Sequence, residues 1–188
     1  MARPHRLTTA ARSVVWGQSV FVGGLLACVA LAPGLVLKAR EVGVSNFGVH
    51  ATTVVPYSVA FVGSVAGLAR ASLRVRRPYA GVFVACAVCY GAALVTTYSY
   101  HLDAGLKDLH DAAGIATMVV SFGLGVVALA REARLAPVLA AHLAGLAVGA
   151  LTLVGAWHLL FTAQVSTSVA FGVEAAVLAQ RVGLARAA

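Results

Sequence analysis

The chain has 188 residues, of which 61% are hydrophobic and 11% are charged, whereas about 25% of the residues of a soluble domain are charged. This composition excludes an ordinary soluble globular domain. The net charge of +8 would suit a nucleic-acid partner, but the basic residues lie in short segments between apolar blocks and no nucleic-acid-binding motif is present. The positive charge therefore indicates membrane topology rather than nucleic-acid binding.

Six apolar blocks follow one another along the chain, each near the length that crosses a bilayer. They predict an all-α, six-helix transmembrane bundle that forms a single domain over residues 1–188. We interpret the first block as a retained helix, because it is too long for the core of a signal peptide. The predicted spans are 13–37, 49–69, 79–98, 112–130, 135–160 and 166–181.

The distribution of Lys and Arg between the blocks predicts the orientation of the bundle. Eleven basic residues fall on one side and three on the other, and an excess of Lys and Arg marks cytoplasmic segments. Both termini are therefore predicted to be cytoplasmic. The eleven are Arg3, Arg6, Arg12, Arg70, Arg74, Arg76, Arg77, Arg131, Arg134, Arg181 and Arg186, and the three are Lys38, Arg40 and Lys107.

Three local patterns predict details of the helices. Val55-Pro56 lies inside the second span and predicts a kink there. Ser45-Asn46 precedes that span and predicts an N-cap, with His50 one turn inside the helix. Gly145 and Gly149 have the G-x-x-x-G spacing that allows close helix packing, which we expect to occur within the chain.

Polar residues from four segments are predicted to converge at the exoplasmic side of the membrane. We expect them to line a pocket formed by helices two to five, because the connectivity gathers them at one membrane face. The set comprises His50, His101, His110 and His158, the acidic residues Glu41, Asp103, Asp108 and Asp111, and the tyrosines Tyr98 and Tyr100.

This exoplasmic cluster has three alternative interpretations. His50, His110 and His158 come from different helices and suit a catalytic zinc, with Asp108 or Asp111 as general base on a bound water. Two of the imidazoles could instead bind a haem. The third interpretation is that these side chains only solvate the helix ends. No compact metal motif such as H-E-x-x-H is present.

A second polar layer is predicted in the cytoplasmic half, where Gln18, His142 and Glu174 lie at similar depth on three helices. A glutamate inside a membrane is costly unless it is paired, protonated or hydrated. Glu174 could therefore relay protons or act as a catalytic acid on an alkene. The alternative is a hydrogen-bonded contact that holds the helices together.

Three short motifs resemble an uncharacterised bacterial family of six-helix membrane proteins, which is loosely similar to the Frag/DRAM/Sfk group. They are the segment 41–50 (EVGVSNFGVH) followed by Pro56 and Phe61, the pattern Leu109-His110-Asp111-x-x-Gly114, and the closing Gln180-Arg181-x-Gly183. The resemblance covers nearly the whole chain. It implies a six-span bundle in the bacterial cytoplasmic membrane and carries no settled activity.

The function that we expect from the sequence is the binding or handling of a lipid or other apolar small molecule in the exoplasmic pocket. Glu41, Ser45, Asn46, Tyr98 and His101 are its predicted lining, and membrane lipids are the predicted partners. One alternative is a zinc-dependent hydrolase of a lipid-like substrate. Another is an acid-initiated isoprenoid cyclase that uses Glu174. The sequence leaves open whether the protein is an enzyme.

Overall fold

The computed structural model describes residues 7–183, which form seven α-helices and no β-strand. The helices are α1 (Thr9–Leu31), α2 (Leu35–Val42), α3 (Val54–Ser72), α4 (Arg77–Thr97), α5 (Ala104–Leu129), α6 (Ala136–Leu153) and α7 (Leu160–Val182), and 3₁₀ helices lie at Val44–Val49 and Ala133–Leu135. All but α2 among the α-helices are long and apolar enough to span a membrane. The all-α prediction with six such helices is confirmed.

The orientation of the bundle stays a prediction. Of the basic residues on which it depends, Arg3, Arg6 and Arg186 lie outside the described residues. We call the end of the bundle that carries Lys38, Arg40 and Lys107 the outer end, following that prediction, and the opposite end the inner end.

The first predicted span divides into two helices. α1 begins after Thr8, whose hydroxyl accepts a hydrogen bond from the Ala11 N–H, and it ends at Leu31. Proline disfavours a helical residue before it, and Ala32 accordingly leaves the helical conformation ahead of Pro33. The chain then forms the short α2 and the first 3₁₀ helix, and we call residues 35–49 the strap.

The second predicted span begins later than expected, at Val54 rather than at residue 49. Pro56 therefore lies in the first turn of α3, where the backbone N–H groups have no partner within the helix in any case. The predicted kink is wrong, because the proline removes no hydrogen bond from the helix. The residues of the predicted cap, Ser45 and Asn46, belong to the 3₁₀ helix instead.

The last three spans are also displaced along the chain. α5 begins at Ala104 rather than residue 112, because the Asp103 carboxylate accepts from the Leu106 N–H, 2.9 Å away, and caps the helix. His110 thus lies inside α5 rather than before it. α6 ends at Leu153, and His158 lies in the connection to α7 rather than in a helix.

Half of the bundle is tightly packed. α1 and α3 approach so closely that a Cβ atom at Gly17 would lie 2.9 Å from the Gly67 Cα atom, so only glycines fit there. Beside this contact the ring centroids of Phe21 and Phe61 are 5.2 Å apart, in an edge-to-face arrangement. Gly145 lies against α7, which agrees with the expectation that its G-x-x-x-G motif packs against another helix of the same chain.

The other half of the bundle is open at its outer end. No residue of α5 from 104 to 120 is buried, and the helix first becomes buried at Ser121. Ile115 on α5 and Leu153 at the end of α6 are 51% and 54% exposed. α5 therefore contributes no buried residue over its outer two thirds, and a cavity lies between it, α6, α7 and the strap.

Candidate functional site

A cavity of about 290 Å³ lies at the outer end, between α5, the end of α6, the start of α7 and the strap. We call it the outer cavity. Its polar lining consists of Glu41, Ser45, Tyr100, Lys107, His110, Asp111 and Gln164, and its apolar lining includes Val42, Ile115, Met118, Leu153 and Leu160. The cavity is thus lined by both hydrogen-bonding and apolar side chains.

His110 is held in place by two neighbours. Its ring stacks on Tyr100 with centroids 4.8 Å apart, and its Nδ1 lies 3.0 Å from the hydroxyl oxygen of Thr96. The Thr96 hydroxyl can donate to the Ala92 carbonyl, 2.8 Å away, and then accepts a hydrogen bond from Nδ1. In the neutral ring Nε2 then carries a free lone pair, so His110 can accept a hydrogen bond from a ligand.

Lys107 and Asp111 form an ion pair one helical turn apart on α5, with 2.5 Å between Nζ and the carboxylate oxygen. Burial raises the pKa of the nearby Tyr100 phenol, and the Asp111 charge raises it further. The phenol therefore remains protonated at neutral pH and can donate a hydrogen bond. The lining presents a cation, carboxylates, a phenol donor and an imidazole acceptor.

The strap is fixed to α7 by Gln164. Its side-chain oxygen accepts a 2.7 Å hydrogen bond from the Val44 N–H. Gly43, just before, has a φ of +80° and ψ of −172°, a conformation that is essentially restricted to glycine. A Cβ atom there would also lie 2.4 Å from the Gln164 side-chain oxygen. The glycine therefore permits both the turn and the contact.

The predicted cap of α3 is wrong. Ser45 donates to the Val42 carbonyl, 3.2 Å away, and Asn46 donates to the Leu35 carbonyl at 3.4 Å. Both bonds stay within the strap. α3 instead follows Thr53, whose hydroxyl donates to the Phe47 carbonyl over 2.6 Å.

The structure brings five of the residues predicted at this site together in the outer cavity: Glu41, Ser45, Tyr100, His110 and Asp111. The others lie outside its lining. Tyr98 bonds to the Ser58 hydroxyl at 2.7 Å, and the buried Asn46 belongs to the strap. His50, His101, Asp108 and His158 are likewise absent from the lining.

The three histidines of the predicted zinc site are not assembled. His158 faces Glu41 across 3.5 Å in an exposed pair, whereas His110 bonds to Thr96. Among residues 7–183 no group of three or more His, Cys, Asp or Glu side chains is close enough to hold a metal ion. The prediction that His50, His110 and His158 share a metal is therefore corrected, because their shared depth did not bring their side chains together.

A second, smaller cavity of about 70 Å³ lies deeper in the bundle and shares Gly114, Met118 and Gln164 with the outer cavity. We call it the hydroxyl cavity, because Thr117, Ser121, Thr167 and Ser168 are among its lining residues. The prediction missed Gln164, which fell between two predicted spans, and Thr167, which lay in the first turn of the last one. Their spacing to Glu174, ten and seven residues respectively, is helical and would have placed all three on one helix face.

The inner polar layer contains a direct contact between two helices. The Nδ1 atom of His142 on α6 lies 2.8 Å from Oε2 of Glu174 on α7, and both side chains are fully buried. We call these residues the His–Glu pair. Gln18, which was expected at the same depth, does not bond to the pair. Its side-chain amide donates to the Ser64 hydroxyl on α3 at 2.9 Å.

Comparisons of the chain with models of known protein families, with curated proteins and with solved structures found no match. The resemblance to the bacterial six-helix family therefore stays a prediction, and the site must be interpreted from its own geometry.

Proposed function

We propose that this protein binds a small single-chain amphiphile, taken from the bilayer, in the outer cavity. The observation that carries the proposal is the mixed lining of that cavity, which combines hydrogen-bonding and apolar side chains next to exposed apolar helix surfaces. Membrane lipids are the expected source of the ligand.

The two kinds of lining residue match the two parts of an amphiphile. His110 and Tyr100 can bind a hydroxyl or amine head group, since one accepts and the other donates a hydrogen bond. Met118 and Leu160 suit an alkyl chain. A volume of about 290 Å³ is at the small end of the range for ligand pockets, so a whole phospholipid would not fit inside.

The lining also supports entry from the side. Ile115 and Leu153 contribute to the outer cavity and yet are more than half exposed, so apolar surface continues from the bilayer-facing exterior into the cavity. An amphiphile could move along this surface without leaving an apolar environment.

The alternatives have less support. A zinc-dependent hydrolase would need the three-histidine site that the described residues do not form. An isoprenoid cyclase would need access to Glu174, which is fully buried, bonded to His142 and absent from the lining of both cavities.

A photolabelling experiment tests the proposal. The purified protein in lipid nanodiscs is irradiated with a diazirine-bearing long-chain alcohol, and adducts are mapped by mass spectrometry. We expect saturable labelling around Met118 and Leu160, reduced at least tenfold by Met118→Trp, which fills the cavity. Val119→Trp is the matched control, because Val119 is 63% exposed and outside the lining. Unsaturable labelling that both variants leave unchanged would contradict the proposal.

A further inference from the structure

The His–Glu pair contains two buried atoms without partners. Nε2 of His142 and Oε1 of Glu174 are fully buried and make no hydrogen bond to any of residues 7–183. Such atoms normally find a partner, because leaving one unsatisfied costs about 1–3 kcal/mol. A contact that only held α6 and α7 together would not require two ionisable groups, since two amides or hydroxyls would serve.

The bonding pattern defines two protonation states. With a neutral ring that donates from Nδ1 and an ionised Glu174, the pair carries one negative charge. One more proton, added at His142 Nε2 or at Glu174 Oε1, makes the pair neutral. Either addition leaves the 2.8 Å bond between Nδ1 and Oε2 intact. The two unpartnered atoms are therefore the positions at which a proton can arrive.

The surroundings of the pair are largely apolar. The Phe122 and His142 rings lie edge-to-face with centroids 5.6 Å apart, and the backbone at Gly125 contacts the carboxylate. A charge in such an apolar setting is costly unless it is paired. Polar side chains near this level on other helices are Gln18 on α1, which packs against Gly172, Ser64 on α3, and Cys86 and Tyr90 on α4. The cation on the same helix as Glu174 is Arg181, seven residues or about 10 Å along α7, and Arg131 and Arg134 lie in the α5–α6 connection at the inner end.

The hydroxyl cavity leads towards the pair on both sides. Ser121 lies one helical turn outward from Gly125, whose backbone contacts Glu174. Thr167 contacts Gly145, which lies one turn outward from His142. Both hydroxyl hydrogens are directed to helix carbonyls, so each oxygen can still accept a hydrogen bond from a water molecule. A cavity of about 70 Å³ with such groups is large enough for water.

We infer that the His142–Glu174 pair is a reversible proton-binding site, and that protons reach it from the outer cavity through the hydroxyl cavity. The step is the transfer of one proton from water to the pair, with no change of oxidation state. It does not depend on which ligand the outer cavity binds, so the photolabelling result and this inference can fail separately.

Carbon-13 NMR of the purified protein tests the proton site. The chain has only three glutamates, so labelling glutamate Cδ gives three carboxyl signals, and Glu174→Gln identifies one of them by its loss. If that variant does not fold, Glu41→Gln and Glu132→Gln assign the same signal by elimination, since both residues lie near the surface. We expect the Glu174 signal to change reversibly with pH, and His142→Gln to shift its midpoint by at least one pH unit.

A Glu174 signal that stays constant over the whole pH range in which the protein is folded would overturn the inference and leave a purely structural contact. The route has its own test. Ser121→Ala and Thr167→Val should slow proton exchange at Glu174 at least tenfold, measured from line broadening at the midpoint. Ser72→Ala removes a buried hydroxyl outside both cavities and should not slow it. Equal rates in all three variants would exclude this route.

Discussion

Gly125 shows how one missing side chain makes room for the His–Glu pair. A Cβ atom at this position would lie 2.5 Å from Oε2 of Glu174, within the core and against a group that is already bonded. We expect Gly125→Ala to destabilise the protein by about 1–3 kcal/mol, the usual cost of overpacking. The measurement is the thermal midpoint in detergent, followed by circular dichroism.

The same helix offers a matched control. A Cβ atom at Gly123 would meet nothing within 4 Å, so Gly123→Ala gains the helix propensity of alanine without a clash. Its thermal midpoint should equal or exceed that of the parent protein. If the two variants had equal midpoints, the carboxylate of Glu174 would not be packed against α5 as described.

At the residue scale the sequence predicted well at which end of the bundle a polar side chain lies. It predicted poorly whether that side chain points into the cavity. His110 and Asp111 do line a cavity at the end where they were expected. His50 and His158 lie at the same end but outside the lining, because the helices that were expected to carry them begin later and end earlier. Topology determines the membrane face of a side chain, whereas its partner depends on the helix bounds and on rotation about the helix axis.

The helix bounds themselves depended on short local signals. The Asp103 cap extended α5 outward by two turns beyond the hydrophobic block, and the proline at 33 divided the first block in two. Hydropathy alone predicted neither the start of α5 nor the division of the first block. The reason is that amphipathic end turns and short helices such as α2 contain polar residues. Gln164 was missed for the same reason, since polar residues at the start of α7 resembled a loop.

The strap is the element whose position defines the outer cavity, and Gly43 is its most constrained residue. We expect Gly43→Ala to displace the strap, since the new Cβ atom would meet Gln164 and the backbone would be strained. Photolabelling around Met118 should then fall several-fold.

Gly155→Ala separates backbone strain from the contact with Gln164. Gly155 also has a positive φ, +77°, but a Cβ atom there would meet nothing within 4 Å. It should lower stability by about 1–2 kcal/mol while leaving the labelling unchanged. Normal labelling in the Gly43 variant would mean that the strap does not shape the ligand site.

At the inner end, Glu132 connects the α5–α6 turn to α7 through an ion pair with Arg181. The hydrogen bond from the Arg181 guanidinium lowers the pKa of the Glu132 carboxyl. A carboxyl whose pKa is lower in the folded state than in the unfolded state stabilises the fold at pH values above its unfolded-state pKa. That stabilisation is lost as the pH falls through its folded-state pKa. We therefore expect the stability difference between the parent protein and Glu132→Gln to shrink in acid.

Thermal midpoints of both proteins, measured from neutral pH down to about pH 3, below the usual pKa of glutamate, give this comparison. Asp108→Asn serves as the reference, because Asp108 forms no ion pair in the structure and lies at the other end of the bundle. A difference for Glu132→Gln that stays constant with pH would show that the ion pair does not stabilise the inner end.

On the scale of the whole molecule the bundle has two unlike halves. Glycine contacts between α1 and α3 and an aromatic cluster that includes Phe21, Phe61, Tyr90 and Phe171 make one half densely packed. The other half, formed by α5, α6 and α7, carries the outer cavity and, at the inner level, the His–Glu pair. The hydroxyl cavity lies between the two halves, because Phe21, Phe61 and Tyr90 of the aromatic cluster also line it. The packed half can thus hold α7 in place beside the outer cavity.

The outer cavity faces the outside of the cell only if the bundle has the orientation that its charges predict. Ala130 and Ala156 are exposed residues in connections at opposite ends, and the three native cysteines are buried or half-buried. In intact cells a membrane-impermeant maleimide should label Ala156→Cys at the outer end and spare Ala130→Cys until the membrane is permeabilised. The reverse pattern would place the outer cavity at the cytoplasmic face of the membrane. The arginine-rich segments would then not mark the cytoplasmic side. The proton path would in that case begin inside the cell.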